Sequence, residues 1–195
     1  MIAKLLKEKT AEAHKNTESN NSAKYIIDHS ITKHQYTRLL LANYNVYSVV
    51  EEKITQQSKH LPVALHDFIS SDKSNRLERD LLNAGVTNLH HQKSNDVLLE
   101  IAKPMQAIGA MYVIEGSMLG GIMIANHLEH CKALRDLKEH HFFGGDPKIH
   151  IQRWKKFVNA LDSLAVTETE LHDIITGANA TFQYFDRVFL AQEAY

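Results

Sequence analysis

The sequence has one cysteine, three prolines and a formal net charge of only −1, and each scarcity closes off a class of protein. A lone thiol, Cys131, cannot form an intrachain disulfide, so this is not one of the cross-linked scaffolds common among small secreted domains. Lys+Arg 22 against Asp+Glu 23 leaves no basic excess to draw the chain to nucleic acid or to an anionic membrane surface. The longest apolar run is interrupted by Glu115 and by three glycines, which argues against a membrane span. The amino terminus is Lys-rich and amphipathic and lacks the apolar core of a signal peptide, so the chain reads as cytoplasmic. No segment alternates apolar and polar residues between turn signals, and no internal repeat is present.

What is present is helical periodicity from end to end. Leu5, Leu6, Ala13 and Thr17 recur at helical spacing over residues 2–19, and Leu6, Thr10, His14 and Glu18 form an i, i+4 ridge on the same element. Thr32-Lys33-His34-Gln35 has the form of a capping box and opens a long helix carrying Tyr36, Leu39, Leu40, Asn43, Tyr44, Tyr47 and Val50 on one face. Pro62 opens a short helix, and another follows over residues 74–83 with Leu77, Leu81 and Leu82 inward and Gly85 as its stop. Asn88 to Ser94 is a polar connection. Periodicity resumes at Asn95 and runs through Leu98, Leu99, Ile101, Met105, Ile108 and Met111 to Leu128, as two helices or one kinked one. Gly144-Gly145-Asp146-Pro147 breaks the pattern before Trp154, Phe157, Val158 and Leu161. Thr167-Glu168-Thr169-Glu170 is a second capping box, opening a last helix striped with Leu171, Ile174, Ile175, Ala178, Phe182, Phe185 and Phe189. The fold class is therefore all-α, with seven to nine helices around one core in a single domain spanning residues 1–195.

The oddest stretch is Tyr112-Val113-Ile114-Glu115-Gly116-Ser117-Met118-Leu119-Gly120-Gly121. A glycine in a helix interior costs roughly 1 kcal/mol relative to alanine, so Gly116, Gly120 and Gly121 oppose the helix around them unless something lies against the backbone. That something is a loop, a close helix crossing or a flat ligand. A flat ligand explains the glycines better than a phosphate does, because no strand precedes the stretch and neither the Rossmann nor the P-loop spacing is met.

The sequence holds 13 histidines, which raises the question of a metal. His14 and Glu18 stand one helical turn apart, the spacing at which a carboxylate can orient a ligating imidazole, although such a pair is ordinarily a solvated surface pair. His127, His130 and Cys131 have ligand-like spacing without a second cluster to match. His90-His91 and His140-His141 fall in polar connections, where solvated side chains are the rule. No Glu-x-x-His motif occurs, which counts against a di-iron carboxylate bundle. No nucleophile elbow flanks any serine.

Taken together, these residues resemble a known family. Leu6-Lys7-Glu8-Lys9-Thr10-Ala11-Glu12-Ala13-His14, followed by Glu18, resembles the first-helix signature of heme oxygenases. Residues 32–54, with Tyr44-Asn45-Val46-Tyr47 leading into Glu51-Glu52-Lys53-Ile54, are similar to the family's second long helix. Leu77-Glu78-Arg79-Asp80-Leu81-Leu82-Asn83-Ala84-Gly85 and the tail from Ala180-Thr181-Phe182 to Asp186 are similar to segments of its bacterial, biliverdin-producing branch, and Tyr112 to Gly121 resembles that branch's distal helix. The likeness is weakest over residues 139–151. The animal enzymes carry an aspartate where Ser117 stands, and Phe142 to Pro147 lacks the Gly-Tyr-Gly turn of the bacterial branch.

The resemblance implies a multi-helical bundle with a kinked distal helix. It implies that heme is both substrate and cofactor, with His14 as axial ligand to the iron, Glu18 supporting it, and Gly116, Gly120 and Gly121 walling the other face. Lys7, seven positions before His14, and Lys155 would meet the propionates. Tyr47 and Ser117 would belong to a distal proton network beside Gly116 and Gly120. Products would be biliverdin, carbon monoxide and ferrous iron, formed with dioxygen and with electrons from a ferredoxin or flavin reductase. Two other readings accompany this one: a heme-binding or heme-sensing protein that does not degrade heme, motivated by Ser117 in place of a carboxylate, and a non-heme, thiaminase-like member of the same helical superfamily.

Overall fold

The computed structural model describes residues 1–89, 99–137 and 139–193. Eight α-helices are described: α1 (Ile2–Lys9), α2 (Ala11–Ser19), α3 (Lys24–Ile27), α4 (Lys33–Gln57), α5 (Asp72–Asn83), α6 (Pro104–Leu128), α7 (Pro147–Asp162) and α8 (Glu168–Glu193). Short 3-10 turns occupy Ser58–His60, Val63–Phe68 and Lys132–Leu134. No strand occurs among the described residues, in keeping with the all-α expectation. His90, His91, Asn95 and Leu98 lie outside the described residues.

Local chemistry sets the helix ends. The Gln35 amide N–H bonds to Thr32 Oγ1 at 3.2 Å while Gln35 Oε1 accepts from the Thr32 N–H at 2.9 Å, completing the first capping box. Thr167 and Glu170 make the same reciprocal pair at the start of α8. Asp146 caps α7, accepting from the Lys148 N–H at 2.8 Å with Pro147 in the first turn. The stretch expected as one helix over residues 2–19 divides at Thr10, whose hydroxyl donates back to the Leu6 carbonyl at 2.8 Å. Such a back-bond competes with the helical ladder and turns the chain, and α2 resumes at once with the His14 N–H on the Thr10 carbonyl.

The centre of the molecule is the crossing of α6 and α8. A Cβ on Gly109 would lie 2.0 Å from the Ile174 carbonyl oxygen, and one on Gly177 would lie 2.1 Å from that of Gln106. Only glycine at both positions lets the two backbones touch. Around this crossing α4 buries Leu40, Val46, Val50 and Ile54, and α5 buries Leu77 and Leu81. Leu82, expected inward, is 51 % exposed, because it lies a further 100° round the helix from the Leu77/Leu81 face. Gly85, at φ +91°, ends α5 and lets the Val86 N–H reach back to the Leu81 carbonyl at 2.9 Å.

Helix α6 is a single element of 25 residues that runs through the glycine stretch, with Leu99 and Ile101 buried ahead of it. Among the described residues it is the one helix long and apolar enough to cross a membrane. Glu115 does not break the run, as composition implied. It is buried and paired, and α6 is apolar because more than half of it is enclosed by its neighbours.

Candidate functional site

His14 sits on the outer side of α2 with its side chain 55 % exposed. Its Nδ1 lies 3.6 Å from Glu18 Oε2, and its ring meets that of Phe182 edge-on at 5.4 Å. The expected one-turn pairing is therefore present, at the separation of an ion pair rather than of a direct hydrogen bond. Two contacts seat α2 on α8: Thr17 Oγ1 donates to the Phe182 carbonyl at 3.2 Å, and Asn20 donates to Asp186. Phe182 thus fixes both the helix and the ring that it carries.

The three glycines of α6 have different surroundings. A Cβ on Gly116 would meet the Trp154 indole at 3.4 Å, and one on Gly121 would meet Phe143 at 4.0 Å. A Cβ on Gly120 would meet nothing within 4 Å. Close helix packing therefore does not account for Gly120, since that task falls to Gly109 and Gly177. On the same helix, Ser117 Oγ donates to the Ile114 carbonyl at 2.9 Å and so accepts from the Tyr47 hydroxyl at 2.6 Å. Tyr47 is buried between the rings of Phe142 and Phe185. Burial pushes its phenol far above the ordinary range, with Glu51 and Glu115 reinforcing the shift, so it holds its proton.

Behind the glycines lies a buried charge network that periodicity did not reveal. Glu115, the one acidic residue of α6, accepts from Lys73 Nζ at 2.7 Å and from Arg153 Nε and Nη2 at 2.7 and 2.9 Å. The side chains of Lys73 and Glu115 are 2 % and 1 % exposed. Burial would raise the Glu115 carboxyl, but Lys73 and Arg153 together outweigh it and hold the group below its ordinary value. Glu51 of α4 closes the network by accepting the Lys73 and Ser74 N–H groups at the start of α5, at 3.1 and 3.0 Å. Four helices are thus tied together at the residue preceding Gly116. The available signal was the isolated carboxylate in an apolar helix, which a core admits only with partners.

The remaining candidates are more dispersed. Lys7 on α1 and Lys155 on α7 are exposed, on helices joined by the Ala3 N–H to Asp162 at 2.8 Å. A cleft of about 320 Å³ opens at the end of α2, lined by Asn20, Tyr25, Arg38, Leu39 and Phe189, and it includes none of the candidate heme-site residues. His140 is not merely solvated: its Nδ1 pairs with the Tyr36 hydroxyl at 2.7 Å, and burial pushes its imidazole below the ordinary value of 6.5. Asp80 accepts the N–H groups of His141 and Phe142 at 2.7 and 2.8 Å, fixing the segment that places Phe142 against Tyr47.

Comparison with known proteins identifies the family and the fold. Residues 1–191 match the family model described as heme oxygenase. A curated relative, heme oxygenase 1 of Nostoc sp., is 24 % identical over 193 residues, covering 93 % of this chain and 81 % of the relative. Among solved structures, heme oxygenase-1 from the cyanobacterium Synechocystis in complex with heme shares the fold at TM-score 0.75 and 20 % identity, over 99 % of this chain and 92 % of that one. The NO- and CO-bound heme oxygenase of Neisseria meningitidis aligns at TM-score 0.72 and 22 % identity, over 100 % and 92 %. The heme oxygenase of Leptospira interrogans aligns at TM-score 0.74 and 24 % identity, over 96 % and 98 %. With the family model matched along almost its whole length, this chain belongs to the heme oxygenase family.

Proposed function

We propose that the chain oxidatively cleaves heme to biliverdin, carbon monoxide and ferrous iron, using dioxygen and electrons from a ferredoxin or flavin reductase. The observation that carries this reading is the pairing of an exposed His14, turned by Nδ1 toward Glu18, with the unfilled space beside Gly120. Helices α2 and α6 both pack on α8, and a ligand held by His14 would lie beside Phe182, against which the His14 ring rests. Heme supplies the iron at which dioxygen is activated and the ring that is opened. The protein supplies the setting.

In this reading His14 would hold the heme iron through Nε2, with Glu18 orienting the imidazole through Nδ1. Lys7 and Lys155 pair with the propionates at the mouth. Gly116 and Gly121 keep α6 slim where Trp154 and Phe143 back it, and Gly120 exposes backbone to the ligand. Tyr47 keeps its proton at Oη and donates it in a hydrogen bond to Ser117 Oγ, holding that hydroxyl in place at the position where the animal enzymes have a carboxylate. The residues fit the ligand, since Gly120 leaves room for it and no partner among the described residues occupies His14 Nε2. A second reading, heme binding without degradation, rests on Ser117 alone, whose only proton is committed to the Ile114 carbonyl.

Hemin titration of wild type and His14→Ala tests the ligand assignment. The variant should show a shifted, weakened Soret band and lose turnover, with both partly restored by added imidazole. An unchanged Soret band with normal turnover in His14→Ala would contradict it.

A further inference from the structure

Three histidines converge at the far end of α6. His29, just past α3, directs Nε2 to His127 Nδ1 at 3.0 Å, and the two rings lie 5.2 Å apart between centroids. His130, one turn on, has its ring 5.5 Å from that of His29. His29 has a φ of 60°, a left-handed conformation that histidine adopts more readily than most side chains, yet at a cost that the surrounding structure has to sustain. A hydrogen bond between two exposed imidazoles competes with water and gains little, so it does not account for a strained residue aimed at a second histidine.

The scaffold beneath is firm. Cys131 points inward, its thiol donating to the carbonyls of Ile26 and His127 at 3.6 and 3.4 Å, and so fastens α3 to the end of α6. Asp28 Oδ1 accepts from both the N–H and the hydroxyl of Ser30, which fixes the turn that carries His29. Two nitrogens bound to one metal at about 2.1 Å stand about 3.0 Å apart when cis at a right angle and about 3.4 Å apart in a tetrahedron. The His29–His127 spacing falls at that edge length. Among the described residues no group of three His, Cys, Asp or Glu is placed to hold a metal ion as the side chains stand, so binding requires the His29 and His127 rings to give up their hydrogen bond and the exposed His130 to rotate toward them.

We propose that His29, His127 and His130 form a binding site for a divalent first-row transition metal ion of the zinc, nickel and copper group, which imidazole donors suit, with water in the remaining positions. The sequence showed only His127, His130 and Cys131. The structure replaces the cysteine, which is turned inward, with His29 from 98 residues away.

The test uses the heme-free full chain without a histidine tag, stripped with chelator and titrated with zinc chloride by calorimetry and with cobalt(II) by visible absorption. One equivalent should bind, and His29→Ala, His127→Ala and His130→Ala should each weaken binding by about tenfold or more. His14→Ala should leave it unchanged, and all three site variants should take up hemin normally. Zinc uptake that survives the His29→Ala/His127→Ala double variant, uptake abolished by His14→Ala, or no uptake at millimolar zinc would each overturn the proposal.

Discussion

Glu115 illustrates how much one side chain can constrain. It is a carboxylate in an apolar helix, and its two cationic partners come from α5 and α7. Removing one member of a buried pair leaves its partner uncompensated, so Glu115→Gln should lose about 3–5 kcal/mol in urea denaturation. Lys73→Met combined with Glu115→Leu should recover only part of what Glu115→Gln loses, because Arg153 still lacks its carboxylate while the fully buried ammonium is gone. His140 offers a test of opposite chemistry. Its imidazole is held below 6.5 by burial, so the unfolded chain takes up the proton first, and stability is fully present above that value and falls as pH drops through it. Between about pH 7.5 and about pH 5.5 the wild-type urea midpoint should fall more steeply than that of His140→Asn, which has no such proton to gain.

At the scale of the element, the glycines of α6 and α8 separate into two kinds. Gly109→Ala places a methyl group against the Ile174 carbonyl and should destabilise the protein by about 3 kcal/mol, read by thermal or urea melts. Gly120→Ala meets open space and removes a helix-interior glycine, so the heme-free protein should gain about 0.5–1 kcal/mol. Gly120→Leu should remain folded by circular dichroism while hemin uptake falls sharply. The helices themselves were legible because capping boxes and apolar stripes are local: Thr32, Thr167 and the Phe182/Phe185/Phe189 stripe all sit where spacing placed them. The Thr10 break was not, because it depends on a hydroxyl choosing a backbone carbonyl over water. Gly116 and Gly120 looked equivalent in the sequence, and only the position of Trp154 tells them apart.

For the whole molecule, what the sequence conveyed about the site was its family resemblance and the His14–Glu18 spacing. What it withheld was most of what is contributed across long separations: Lys73 and Arg153 on Glu115, and His29 on His127, while Tyr47 with Ser117 came only through the family resemblance. Such pairings leave no periodic trace, since each partner alone is an ordinary residue in its own helix. The central claim, that this assembly degrades heme and does not merely hold it, is tested most directly by following the hemin complex under reduction. With ascorbate, or with a ferredoxin and its reductase, in air, the Soret band should decay as biliverdin absorbance grows in the red, with carbon monoxide released in step. A Soret band that persists under each of these donors, with no biliverdin formed, would contradict the account and leave a heme-binding protein in its place.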